Sequence, residues 1–226
     1  MICAALLAGG IGTRLDVGMP KQFYLIAGKP ILIHSLEAFL KVEEMDEIIV
    51  SSPKECVNKT KDVIKEYDLT EPRITVIEGG KRRSDTILNS INYTLENDYP
   101  KDSIMVTHDA ARIFVTPKLI KDSIRYAKQY GAASAVIPAT DVIFESKKDG
   151  ILTDVPDRQY LLQSQTPQSF NINHYIEIYS DLSDEEIDKL DEAMRGHEIG
   201  LFEGDRTNFK VTRPSDIKIA NAMLRG

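Results

Sequence analysis

The chain has 226 residues, 42% hydrophobic and 28% charged, with a formal net charge of −7. That length accommodates one large domain whose core needs no disulfide or metal staple, and the acidic balance excludes a nucleic-acid binder that works by broad phosphate neutralisation. No stretch approaches the roughly 20 apolar residues of a membrane span, and Cys3 and Cys56, without metal-ligand spacing, read as free thiols of a cytoplasmic protein.

The opening MICAALLA is short and lacks a basic leader, so it reads as a buried strand rather than a signal peptide. Directly after it comes GGIGTRLDVGMPKQF, rich in glycine and carrying Arg14 and Lys21. Helical spacing of Ile31, Leu32, Leu36, Phe39 and Leu40 behind Pro30 predicts a helix. DEIIVSS is a second strand, followed by a helix from about Lys54 to Tyr67. RITVIEGG is a third strand, and Ile87, Leu88, Ile91 and Leu95 mark the next helix. SIMVTH is a strand ending at His108-Asp109; Thr116 and Pro117 then cap a helix running to Tyr130. AASAVIPA is another buried strand. Such alternation predicts an α/β fold: a mostly parallel sheet with helices on both faces.

After Pro138 the pattern changes. DVIFES and ILTDV flank a turn at Asp149-Gly150, predicting a β-hairpin arm at about 139–162 that leaves the main sheet. Helices are expected at INHYIEIYSDL and SDEEIDKLDEAM, where Ser183 and Glu186 match a capping box, a strand at TNFKVT, and a closing helix at SDIKIANAML. One domain spanning 1–226, with the arm, is the expected organisation.

In open α/β sheets, ligands bind beyond the carboxyl ends of the strands. Four loops fall there: residues 8–21, 79–86, 108–112 and 205–210. Gly9, Gly10 and Gly12 let the backbone approach a ligand closely, while Arg14 and Lys21 supply a planar fork and a point charge suited to phosphates. The loop is neither a P-loop, since GxxxxGK[ST] is absent, nor the dinucleotide fingerprint, since no third glycine follows Gly12 at the required spacing. His108 has no matching ligand partners and reads as structural.

LAGGIGTRL followed by PKQF, then GKPILIHSLEAF, EGGKRRSDTI, THDAAR, QTPQSF and NFKVTRPSDIKIANAM, resembles in order the polyol-phosphate cytidylyltransferases over nearly the whole chain. Two sister groups share these motifs, acting on ribitol 5-phosphate and on 2-C-methyl-D-erythritol 4-phosphate. The resemblance implies a Rossmann-like, glycosyltransferase-A-like nucleotidyltransferase fold with a dimerisation arm. It implies a CTP-dependent transfer of CMP to a polyol phosphate, with release of pyrophosphate and with Mg²⁺ or another divalent cation as cofactor. Leu7, Ala8, Gly9, Gly10, Gly12, Gly79, Gly80, Arg83, Ser84, Thr86 and Ala110 would hold the nucleotide, and Asp109 the metal. Arg14 and Lys21 would neutralise charge growing on the α-phosphate. Arg158 and Lys210, with Arg112 and Val142, would meet the second substrate. Its phosphate monoester, with a second pKa of about 6, is already mostly dianionic and needs no general base. Expected partners are CTP, the polyol phosphate and a second copy of the chain, with no nucleic acid and no membrane.

Ile113 stands where the family has proline, Val142 where a threonine is usual, and the segment from Asp191 to Gly204 is shorter. SSPKE, GKPILIHSLE, QTPQSFN, LSDEE and KIANAM lean towards the ribitol group; HDAAR and KVTRP are closer to the methylerythritol group. The expectation is therefore CDP-ribitol as product, in teichoic-acid or capsule synthesis. Methylerythritol phosphate, in isoprenoid synthesis, is the alternative, and a nucleotide-binding homologue without turnover is a third reading.

Overall fold

Successive residues of the first strand, β1 (Ile2–Leu7), point into two different cores. Ala4 and Leu6 pack into one cluster, Cys3 and Ala5 into another. The same alternation splits Ile48 and Val50 from Ile49 in β4 (Glu47–Ser52), and Val106 from Met105 in β6 (Ile104–Asp109). Strands buried on both faces read as unbroken apolar runs, which is why these three were legible in the sequence. A computed structural model describes residues 1–10, 18–147, 149–180 and 197–225. The predicted capping box at Ser183 and Glu186 lies outside the described residues, as do Gly12 and Arg14.

Helices α1 (Ile31–Leu40), α2 (Val57–Glu66) and α4 (Pro117–Tyr130) cover one face through Leu36, Phe39, Ile64, Ile120 and Ile124. On the other lie α3 (Arg83–Glu96) and α5 (Ile172–Ser180), through Ile87, Ile91 and Ile172. Thr116 caps α4 as predicted, its hydroxyl accepting from Leu119 N–H at 3.2 Å ahead of Pro117. With β5 (Ile74–Glu78), β7 (Ala132–Pro138), β10 (Leu162–Asn171) and β11 (Gly200–Glu203), the strands make a seven-stranded sheet in the order β11-β7-β10-β6-β1-β4-β5. Of these seven, only β10 runs against its neighbours. A small hairpin of β2 (Leu25–Ile26) and β3 (Lys29–Pro30) lies beside the closing helix α6 (Pro214–Arg225). Ile113, the residue found in place of proline, is buried there with Ile26, Ile31 and Val211.

Two strands of the main sheet were not legible, nor was the small β2-β3 hairpin, and one predicted strand is absent. β10 carries Gln165, Thr166 and Ser169 as buried polar residues, so it lacks the apolar signature of a sheet interior. Its register with β7 shifts between Gln165 and Gln168, a bulge that accommodates Thr166 and Pro167. β11 is only four residues long at an edge. TNFKVT is irregular rather than a strand: its N–H groups are used singly, Val211 donating to Ala111 C=O and Thr212 to the Asp216 carboxylate.

The arm is a minimal hairpin, β8 (Glu145–Ser146) against β9 (Leu152–Asp154). Val142, Phe144, Ile151 and Leu152 are exposed along it. No helix among the described residues is long and apolar enough to cross a membrane.

Both cysteines are free and buried. Burial, aided by Asp46 and Glu47, pushes the Cys3 thiol up to about 12, and burial also raises Cys56. At pH 8 the thiolate of Cys3 is then about a ten-thousandth of the thiol. A thiol-specific chromogenic reagent should therefore react negligibly with the native protein and with two thiols after unfolding. A native thiol reacting at the unfolded rate would show that one of these sites opens readily.

Candidate nucleotide-binding site

β1 and β6 pair in parallel with Leu7 opposite Asp109. From β1 the chain moves to β4 on one side, and from β6 through α4 to β7 on the other. The crevice outside their carboxyl ends is thus the topological switch point of the sheet. Three backbone bonds fix its rim: Ala8 N–H to Ser51 C=O at 2.9 Å, Gly79 N–H to Ser52 C=O at 2.8 Å and Ala110 N–H to Leu7 C=O at 3.2 Å.

A pocket of about 210 Å³ opens there, lined by Leu7, Gly9, Gly10, Lys21, Gly80, Lys81, Arg82, Arg83, Thr86, Asp109, Ala111 and Lys210. Among the described residues, five cations and a single carboxylate line it, in a protein that is acidic overall. Concentrated positive potential beside the N-terminus of a 14-residue helix, α3, suits a polyanion. Two glycines make the geometry possible by close approach. A Cβ on Gly10 would lie 2.7 Å from Lys21 Cε, so glycine lets that side chain lie across the backbone. On Gly80 it would lie 2.3 Å from Asp85 Cβ and 2.7 Å from its carbonyl carbon. Gly80 N–H instead donates to Thr86 Oγ1 at 3.0 Å, closing the loop onto α3.

Asp109 is 9% exposed. Lys210 Nζ lies 2.9 Å from its Oδ2, Arg112 Nε 3.7 Å from the same oxygen and Arg83 Nε 3.9 Å from Oδ1. Burial alone would raise its pKa, but Lys210, Arg83 and Arg112 outweigh burial and hold it at about 2. It is a carboxylate at any physiological pH. Behind it runs a buried chain of hydrogen bonds. Asp109 N–H donates to Thr166 Oγ1 (3.1 Å), the threonine hydroxyl donates to His108 Nδ1 (3.0 Å), and His108 Nε2–H donates to Arg112 C=O (3.1 Å). His108 is fully buried, and burial lowers its pKa to about 4. Neutral and with both nitrogens engaged, it is a structural strut, as its lack of ligand partners suggested.

Of the predicted residues, the structure gathers Leu7, Gly9, Gly10, Lys21, Gly80, Arg83, Thr86, Asp109 and Lys210 around this pocket. Ala8, Gly79, Ser84 and Ala110 do not line it but each adjoins a lining residue in sequence, and Arg112 reaches it through Asp109. Val142 and Arg158 are on the exposed arm, where Arg158 Nη1 donates to Thr140 C=O at 2.8 Å. Neither lines the pocket of its own chain. Lys81, Arg82 and Ala111 were missed, although the run KRR between Gly80 and Ser84 signalled the first two. Thr166 was missed because nothing local marks a threonine in a polar strand as the support of a remote aspartate.

Residues 2–226 match the family model of 2-C-methyl-D-erythritol 4-phosphate cytidylyltransferase. Among solved structures, the chain resembles the enzyme of that name from Thermus thermophilus at 25% identity and a TM-score of 0.72, with all of both chains covered. It also resembles the 4-diphosphocytidyl-2C-methyl-D-erythritol synthase from Anaerococcus prevotii (22% identity, TM-score 0.78, 100% of this chain and 96% of that one). The Francisella tularensis cytidylyltransferase is similar in fold (24%, 0.75, 98% of each chain). The family matched is thus the methylerythritol group, named above as the alternative, and not the ribitol group expected first.

The two glycines should respond differently to alanine. Gly10→Ala meets only the movable end of Lys21, so the melting temperature should hold while CTP affinity falls. Gly80→Ala meets Asp85 backbone and should cost about 1–3 kcal/mol, a melting shift of roughly 3–10 °C. Calorimetric melts and CTP titrations of both variants check this; equal melting losses would refute it.

Proposed function

Because the chain belongs to the 2-C-methyl-D-erythritol 4-phosphate cytidylyltransferase family, a family of CTP-dependent nucleotidyltransferases, we propose that it joins CMP to 2-C-methyl-D-erythritol 4-phosphate. The observation that carries this reading is the family match over residues 2–226; the cationic pocket at the switch point supports it. A phosphate oxygen of the acceptor attacks the α-phosphorus of CTP, a new P–O–P bond forms, and the bond to the β-phosphate breaks to release pyrophosphate. Both substrates are anionic, so the task of the protein is to hold like charges together in line.

Leu7 to Gly10, with Gly12, Gly79, Gly80, Arg83, Ser84, Thr86 and Ala110, form the nucleotide site in this reading. Arg14 and Lys21 stabilise charge as pyrophosphate leaves. Lys210 and Arg112 hold the acceptor phosphate. Among the described residues, Asp109 is the one carboxylate of the pocket, and no cluster of three acidic, histidine or cysteine residues occurs. This donor set fits a hard divalent cation that takes its other ligands from phosphates and water. Asp109 would hold such a cation, which when bound offsets phosphate charge.

Pyrophosphate release with CTP should be observed with 2-C-methyl-D-erythritol 4-phosphate and be at least about tenfold slower with D-ribitol 5-phosphate. UTP, GTP and ATP should be poor donors. The reverse acceptor order would restore the ribitol reading, and equal use of all nucleotides would overturn the cytidine assignment.

The exposed apolar arm is proposed to pack on a second copy, since a two-stranded hairpin is marginal alone. In that twofold dimer Arg158 reaches the pocket of the partner. Lys21→Ala and Arg158→Ala should each be nearly inactive, yet mixing them with subunit exchange should restore about a quarter of wild-type activity, from one complete site in each mixed dimer. Activity equal to the sum of the parents after proven exchange would assign Arg158 to its own chain.

A further inference from the structure

Lys210 belongs to no helix or strand. It lies on an irregular stretch between β11 and α6, yet its ammonium is placed 2.9 Å from Asp109. On the far side of Lys210 the stretch is held by Val211, fully buried, whose N–H donates to Ala111 C=O at 2.9 Å. On the near side the turn is held by a residue outside the pocket lining, Gln165 of β10, which is 4% exposed.

Gln165 Nε2 donates to Asp205 C=O at 2.8 Å, and its Oε1 accepts Asp205 N–H at 3.1 Å. One side-chain amide thus satisfies both backbone groups of a single residue, as a neighbouring strand would. The preceding residue must be glycine for this to occur. A Cβ on Gly204 would lie 2.5 Å from Gln165 Oε1 and 3.2 Å from Val136 C=O. From the docked Asp205 the chain turns sharply: Asp205 C=O accepts Asn208 N–H at 3.0 Å, and Asp205 Oδ1 accepts Thr207 N–H at 2.7 Å. Asn208, fully buried, then ties the end of the turn to the next residue of β10, its Nδ2 donating to Thr166 C=O at 2.8 Å. Arg112 Nη1 donates to Asn208 C=O at 2.9 Å. Lys210 is the second residue beyond that anchor.

We propose that Gln165 is a positioning residue for the transfer reaction: by docking the backbone of Asp205 on the bulged strand, it sets the register of the turn that delivers Lys210 to Asp109. The inference rests on the reading of Lys210 as a group that meets the acceptor phosphate. Gln165 does not line the pocket and is buried, so its effect on turnover is expected to pass through the turn. Displacement of a substrate-holding group by about 1 Å can cost up to about 10²-fold in rate.

The test is a double-mutant cycle in the full-length protein, with CTP and 2-C-methyl-D-erythritol 4-phosphate as substrates. Gln165→Leu should lower kcat/KM for the acceptor by about tenfold or more while leaving KM for CTP within about twofold. In the Lys210→Ala background the same change should cost less than about twofold, because there is no longer a lysine to misplace. Gln165→Glu keeps the shape and the acceptor for Asp205 N–H but loses the donor; it should give a smaller loss of the same pattern, and it serves if the leucine variant does not fold. Melting curves of every variant verify folding. An equal fold-loss in both backgrounds, or no loss with either substitution, would overturn the proposal. Lys210→Ala at wild-type turnover would instead remove the assignment of Lys210, and the inference with it.

Discussion

Asp109 ends a buried strand with its carboxylate facing Lys210, Arg112 and Arg83. Much of the surrounding architecture serves that one charge. A carboxylate so little exposed is stable only if its oxygens are matched by cations and its backbone is held. The cations arrive from three separate places: the start of α3, the loop after β6 and the irregular segment before α6. Each is brought in by a different part of the fold, so the carboxylate ties together segments that are distant in sequence. The same charges that hold Asp109 ionised leave the pocket positive once Lys21, Lys81 and Arg82 are added. Anchoring of the carboxylate and attraction for phosphates are therefore two results of one arrangement.

The strand that supports Asp109 is the one that runs against the rest. β10 inserts between β6 and β7 and brings Gln165, Thr166 and Gln168 to the back of the site. Thr166 grips the backbone of Asp109, Gln168 Oε1 accepts from Arg83 Nη2 at 2.7 Å, and Gln165 holds the turn before Lys210. The aspartate's own backbone and two of the three cations around its carboxylate are thus indexed to one strand. The bulge at Thr166-Pro167 lets Gln165 and Gln168 serve different segments while both remain in the ladder with β7. Buried amides and hydroxyls in such a strand are costly unless each finds a partner, and here most do.

Polarity is distributed between sheet and arm in an unusual way. The sheet interior admits a polar strand, while the exposed arm carries Phe144, Ile151 and Tyr160 at more than half exposure. An isolated hairpin bearing such residues gains nothing from water. The pocket of a single chain is not lined by Arg158, which the arm carries away from it.

Local chemistry alone determined the parallel half of the sheet. Runs such as ICAALL and IMVTHD are apolar because both faces are covered, and the helices between them show the 3.6-residue period. The ordered motifs carried the cytidylyltransferase resemblance, which the family match over residues 2–226 bears out. What local chemistry did not determine was β10, the course of residues 207–212 and the choice of acceptor. The first two are polar segments whose conformation is set by partners more than 30 residues away in sequence, as Gln165 with Asp205 and Asp109 with Thr166 show. Fragments of motif pointed to both acceptors, and fragments of both kinds border the site: QTPQSFN through Thr166 and Gln168, HDAAR through Asp109. Hydrophobic periodicity reports burial, and burial of polar groups by mutual hydrogen bonding leaves no period to read; it is decided only when the chain has closed on itself.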